Sequence, residues 1–167
     1  IDHAVRSQQK TLTPPNRADV QEVAYPIFRM RGQTLGIIGL SRIGTATALK
    51  ARGLGLRVIA YDPYVFGSVM KTLEVEPVDF NTLLRESDFI SIHAPLNDRT
   101  RGMIGYPELT KMKRICYLIN TARGGILDEE ALIKALNEGL IAGAGLEVTA
   151  TEPIEKDNGL LRMPNVI

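Results

Sequence analysis

Several residue types that mark large classes of protein are scarce in this chain. It has one cysteine, no tryptophan, two histidines and 5% aromatic residues in 167 positions. With Cys116 alone it can close no intrachain disulfide and build no cysteine metal cluster, and no metal site is expected. Cys116 lies in the apolar run Ile115-Cys116-Tyr117-Leu118-Ile119, which suits a buried structural thiol. An excess of one charge is lacking too. Twenty Lys and Arg face nineteen Asp and Glu, a net charge of +1, so a nucleic-acid or membrane surface has no electrostatic basis. No apolar run approaches the roughly 20 residues of a membrane span. The start, Ile1-Asp2-His3-Ala4-Val5-Arg6, lacks the apolar segment of a secretory signal. Together these absences lead to the expectation of a cytoplasmic protein. The first residue is not Met, so an excised or trimmed piece of something longer is expected.

What is present is an ordinary globular balance, 44% hydrophobic and 23% charged, in a length that suits one domain with a short appendage. In residues 1–30, Thr13-Pro14-Pro15-Asn16-Arg17 and then Pro26 interrupt any helix, which predicts a connector or docking arm. From Thr34 the pattern becomes regular. Leu35-Gly36-Ile37-Ile38-Gly39 predicts a buried parallel strand. A helix over 42–55 follows, with Ile43, Ala46, Leu49 and Leu54 expected toward the sheet and Gly53 and Gly55 closing it. Strands are predicted at 57–61, weakly at 74–77, then at 88–93, 115–120 and 140–148. Helices are predicted from Asp79 to Glu86, from Tyr106 to Met112, and from Glu129 to Glu138 behind an Asp128 cap. Strands alternating with helices imply an α/β fold: a doubly wound parallel sheet in three layers, of the Rossmann type.

Between the first strand and the first helix stands Gly39-Leu40-Ser41-Arg42-Ile43-Gly44. A dinucleotide pyrophosphate needs backbone N–H groups at a helix N-terminus, and the expected pattern is G-x-G-x-x-G. Gly39 and Gly44 supply the first and third glycines. Ser41 replaces the middle one; it is small, and its hydroxyl can donate to a phosphate. Asp62 ends the second strand, 18 residues after Gly44, where a carboxylate accepts from the adenosine ribose hydroxyls. It would repel the extra phosphate of NADP, and neighbouring Pro63 and Tyr64 bring no cation. NAD is therefore the expected cofactor. The alternative is that Asp62 only opens a turn before Pro63.

The chain from about Arg31 to Ile167 resembles the D-isomer-specific 2-hydroxyacid dehydrogenases. The segments that carry the resemblance are Arg31 to Gly44, Tyr61-Asp62-Pro63-Tyr64, His93-Ala94-Pro95-Leu96-Asn97, Asn120-Thr121-Ala122-Arg123-Gly124-Gly125-Ile126-Leu127-Asp128, and Glu152-Pro153. Within that family it looks most similar to the C-terminal-binding proteins, which are dehydrogenase-like corepressors. The resemblance implies that Arg123 holds a substrate carboxylate, a task suited to a permanently charged, forked guanidinium. It implies that Glu152 orients a catalytic histidine. It places His93, Ala94, Pro95 and Asn97 along the adenine and ribose side, and Thr121 and Ala122 near the nicotinamide ribose. Glu147 stands where the family usually has the Asp that contacts the nicotinamide carboxamide. Residues alone leave Arg123 open as a surface charge, His93 as a satisfied loop histidine and Glu152-Pro153 as a loop.

In the family a Pro-His pair closely follows the segment matching Asn165-Val166-Ile167, and the cofactor domain is an insertion in a substrate domain. Residues 31–167 are accordingly expected to be a dinucleotide-binding domain, without the catalytic histidine or the substrate domain. Such a chain binds NAD(H) without turning over 2-oxo acids. The implied parent transfers hydride between NAD(H) and a 2-oxo or 2-hydroxy acid. The family also implies a homodimer formed through an arm before the first strand, of which residues 1–30 hold part. Two alternatives remain at this point. One is a corepressor-type NAD sensor without metabolic turnover. The other is a degenerate member that has lost cofactor binding through Ser41 and Glu147.

Overall fold

The structure is a computed structural model, and it describes residues 30–167. The expected arm therefore lies, apart from Met30, outside the described residues. Six strands form one sheet: β1 (Thr34–Ile38), β2 (Arg57–Tyr61), β3 (Glu76–Pro77), β4 (Phe89–Ile92), β5 (Tyr117–Asn120) and β6 (Gly143–Leu146). Their spatial order is β3-β2-β1-β4-β5-β6, and every pairing is parallel. This is the doubly wound order in which the chain reverses direction of build between β1 and β4. β1 is central, and all five of its residues are buried, as its unbroken apolar run requires.

Helices cover both faces. On one side, Leu35, Ile37, Val58 and Ala60 pack with α1 (Arg42–Gly53) and α2 (Gly67–Thr72). On the other, Ile38, Ile59, Ile90 and Leu118 pack with α3 (Phe80–Glu86), α4 (Tyr106–Leu109) and α5 (Glu129–Asn137). Local chemistry sets these boundaries. Asp79 and Asp128 each accept the backbone N–H three residues on, at 2.9 and 3.0 Å, which starts α3 and α5. Gly36 has no room for a side chain: a Cβ there would stand 2.2 Å from Ser87 Oγ at the end of α3. At the amino ends of the strands Asp88 accepts from the Thr34 amide and from Lys113 Nζ, both at 2.8 Å, and so joins β1, β4 and the turn before β5.

The face of α1 corrects the expectation from sequence. Gly44, Ala48 and Ala51 are its buried residues, whereas Ile43, Leu49 and Leu54 are 68%, 47% and 57% exposed and Ala46 is also exposed. The helix lies close to the sheet, so small residues at i, i+4 and i+7 define its inner face rather than large ones. Leu54 caps it and Gly55, at φ +82°, takes the left-handed position beyond, so Gly53 belongs to the last turn. α2 was not anticipated; its six residues follow Phe66, which provides no side-chain cap. Cys116 is fully buried, as expected, and burial pushes its thiol up to about 12.

Candidate functional site

The carboxyl ends of β1 and β4 diverge at the point where the strand order reverses, and the sequence-predicted turn lies there. Gly39 adopts φ +89°, and a Cβ on it would stand 2.7 Å from the Ala94 nitrogen in the loop after β4. A Cβ on Gly44 would stand 2.3 Å from the Gly39 carbonyl oxygen. Both glycines are therefore steric requirements of this turn. Ser41 is the N-cap of α1, and its Oγ accepts from the Gly44 amide at 3.3 Å. The hydroxyl hydrogen remains available to a ligand. Arg42 and Ile43 open the helix, where amides have no intrahelical acceptor, and both residues are exposed. The serine thus keeps the anion-binding character of the helix end.

Asp62 opens the turn that the sequence offered as the alternative, and it also braces the glycine turn. Its Oδ1 accepts from the Tyr64 amide at 2.8 Å, the turn-opening bond. Its Oδ2 accepts from the Leu40 amide at 2.8 Å, which ties the end of β2 to the glycine turn. Each oxygen has a further lone pair for a ribose hydroxyl. Asp62 lines a pocket of about 210 Å³ with Gly39, Tyr64, Ala94, Pro95 and Asn97. Asn97 Oδ1 accepts from the amides of Arg99 and Thr100 at 2.9 and 3.2 Å, so this side chain shapes the loop that closes the pocket.

A larger hollow of about 670 Å³ continues past the helix end. Ser41, Ile43, His93, Thr121, Ala122 and Arg123 line it, and it shares Ala94 and Pro95 with the first pocket. The two form one crevice across the switch point. His93 Nε2 is 2.9 Å from Ser91 Oγ, and burial holds its imidazole below the ordinary histidine range. The His93 ring thus has a hydrogen-bond partner and also faces the crevice. Asn120 is fully buried: its Nδ2 donates to the Arg123 carbonyl at 3.0 Å, and its Oδ1 accepts from the Ala122 amide at 3.1 Å. This side chain gives the 121–123 loop its shape. The Arg123 guanidinium is exposed and donates to the Ala122 carbonyl at 2.6 Å.

Glu147 and Glu152 do not line that crevice. They line a separate hollow of about 580 Å³ beyond β6, with Thr149, Leu160, Val166 and Ile167. The two regions touch through backbone, since a Cβ on Gly124 would stand 1.9 Å from the Thr149 carbonyl oxygen. Asn165 to Ile167 runs beside β6, with the Ala144 amide donating to the Asn165 carbonyl at 3.0 Å. Asn120 stands in the motif named above, but its part in shaping the loop, like the contacts of Ser91 and Arg99, is not legible from sequence. An asparagine closing an apolar run, three residues before Arg123, was the available signal for the first. Nothing local marked the other two.

The family model for the D-isomer specific 2-hydroxyacid dehydrogenase NAD binding domain matches residues 2–167. The chain belongs to this family of NAD-binding domains. A glyoxylate reductase from Korarchaeum cryptofilum is 50% identical over 145 residues, 87% of this chain and 43% of the relative. A D-3-phosphoglycerate dehydrogenase from Methanocaldococcus jannaschii is 40% identical over 165 residues, 98% of this chain and 31% of the relative. Among solved structures, the NAD-complexed D-isomer specific 2-hydroxyacid dehydrogenase from Lactobacillus delbrueckii ssp. bulgaricus is similar at a TM-score of 0.73 and 39% identity. That match covers 81% of this chain and 44% of the other. The chain thus spans less than half the length of these relatives. For a 2-hydroxyacid dehydrogenase domain the cofactor is NAD, and the crevice suits it: helix-end amides for a pyrophosphate, and a carboxylate with spare lone pairs for a ribose.

Proposed function

We propose that this domain holds NAD(H) along the β1–β4 crevice for a dehydrogenase acting on a small 2-oxo or 2-hydroxy acid. The observation that carries the reading is the bond from the Leu40 amide to Asp62, which locks the ribose acceptor onto the phosphate-binding turn. The amides opening α1, with Gly39, Ser41, Arg42, Ile43 and Gly44, receive the pyrophosphate. Asp62 accepts from the adenosine ribose, with Ala94, Pro95 and Asn97 along the adenine side. Thr121 and Ala122 face the second ribose beside His93. Glu147 stands beyond β6 on the carboxamide side. When bound, the nicotinamide supplies the hydride donor or acceptor.

Arg123 then binds the substrate carboxylate. Its guanidinium is exposed at the crevice rim with one donor engaged, leaving a fork for a carboxylate. Glu152 orients a histidine that, by the resemblance, follows Ile167. Support for that pairing is the course of the chain end, where Val166 and Ile167 line the same hollow as Glu152. A metabolic enzyme is favoured over a corepressor-type sensor because the similar proteins are named as reductases and dehydrogenases. A cytoplasmic homodimer fits the lone buried thiol and the exposed apolar Met30, Leu49 and Leu54 beside α1. No helix of the described residues is long and apolar enough to cross a membrane.

The test uses the full-length protein and reduction of glyoxylate, hydroxypyruvate and pyruvate. Arg123→Ala should lower kcat/KM on the order of 100-fold or more, the scale of a lost bidentate charged pair. Glu152→Gln should lower kcat mainly, with a changed pH profile. An Arg123→Ala enzyme that keeps its kcat/KM would refute the role.

A further inference from the structure

The adenosine pocket has a cation on its wall. Arg99 lies in the loop after β4, and its Nη1 donates to the Tyr64 hydroxyl at 3.0 Å. That bond links the loops after β2 and β4 between residues 35 positions apart. Arg99, Tyr64 and Asp62 line one pocket of about 210 Å³. Arg99 and Tyr64 also line a shallow hollow beside it with Asn97 and Asp98. Among the described residues no carboxylate oxygen comes within 4.0 Å of the Arg99 guanidinium, so neither Asp62 nor Asp98 neutralises it.

The pocket therefore carries opposite charges on two loops. Asp62 is fixed by the Leu40 and Tyr64 amides on the β2 side. Arg99 is held by Tyr64 on the β4 side, with most of its five N–H donors unspent. A ribose 2′-hydroxyl meets the carboxylate as an acceptor. A 2′-phosphate is repelled by that carboxylate, yet it would meet a guanidinium already positioned, the group best suited to forked phosphate binding. We propose that Arg99 is a latent anchor for a 2′-phosphate, which leaves Asp62 as the one barrier between this domain and NADP(H). This rests on the reading of the crevice as the NAD site; the cation that Pro63 and Tyr64 do not bring comes from the loop after β4.

The experiment is calorimetric titration of the whole chain with 5′-AMP and with adenosine 2′,5′-bisphosphate, which differ by the 2′-phosphate. The unsubstituted chain should prefer 5′-AMP. Asp62→Asn, which keeps a carbonyl acceptor, should shift the preference toward the bisphosphate by about tenfold or more. Adding Arg99→Ala should cancel that shift. A double variant that keeps the preference of Asp62→Asn overturns the proposal. Should Asp62→Asn fail to fold, Arg99→Ala alone is decisive: the ratio of NADPH to NADH affinity should drop several-fold, and an unchanged ratio overturns the proposal. If the unsubstituted chain binds neither NADH nor 5′-AMP, the NAD reading falls and takes this inference with it. Binding of both, with ratios blind to Arg99, refutes the anchor alone.

Discussion

Around Gly39, Asp62 and Asn97, each key polar side chain is bonded to backbone of a neighbouring segment or its own turn, and two glycines sit where any side chain would collide. The side chains of Arg123, Glu147 and Glu152 are exposed, and Arg123 bonds only to the carbonyl beside it. The first region is a rigid receptor. The second presents charged groups on a firm backbone and leaves their final geometry to whatever they bind. The difference follows from the chemistry asked of each. In the proposed reading, fixed backbone amides and one fixed carboxylate grip the cofactor phosphates and riboses. The same reading gives the substrate carboxylate to a forked side chain, Arg123.

The contrast can be broken most severely at Gly44. Gly44→Ala places a methyl group 2.3 Å from the Gly39 carbonyl, so the turn must deform. We expect a loss of about 3 kcal/mol in urea unfolding and no measurable NADH binding. Near-native stability would mean that the turn is softer than described. At Asp62, replacement by Ala strands the Leu40 and Tyr64 amides and removes the proposed ribose acceptor. NADH affinity should fall by about 1.5–3 kcal/mol, or roughly 10- to 150-fold.

A paired comparison sharpens the difference within one loop. Asn120→Ala removes two buried hydrogen bonds and should cost about 2 kcal/mol of stability, whereas Arg123→Ala should stay within about 0.5 kcal/mol. Equal effects would show that the loop has no rigid base. The smallest effect concerns His93. Its folded-state value lies below the ordinary 6.5, so between the two values the unfolded chain holds a proton that the folded chain lacks. Stability from this group is thus present above pH 6.5 and declines as pH falls through that window. His93→Gln should flatten the dependence of the melting temperature between pH 5 and 7.5.

The three-layer parallel sheet was legible because β1, β2 and β4 are apolar runs ending at glycine, Asp62 and His93, with caps at Asp79 and Asp128. The cofactor turn was legible because backbone needs at that point admit few residues. The face of α1 was not, since its inner stripe is Gly44, Ala48 and Ala51, and a hydrophobicity pattern favours the larger Ile43, Leu49 and Leu54. Arg99 was invisible for another reason: its neighbour Tyr64 is 35 residues away, and only the sheet order brings the loops together. The sequence groups Arg123 with Glu147 and Glu152, yet the fold divides them between two hollows that meet at Gly124.

The central claim is that the crevice between β1 and β4 is a built dinucleotide receptor despite the serine in its glycine turn. Calorimetric titration of the chain with NADH tests it most directly. The account predicts saturable one-to-one binding below millimolar concentration, abolished by Gly44→Ala and weakened by Asp62→Ala. Absence of binding at several millimolar NADH, in a chain that is folded by circular dichroism, would contradict it.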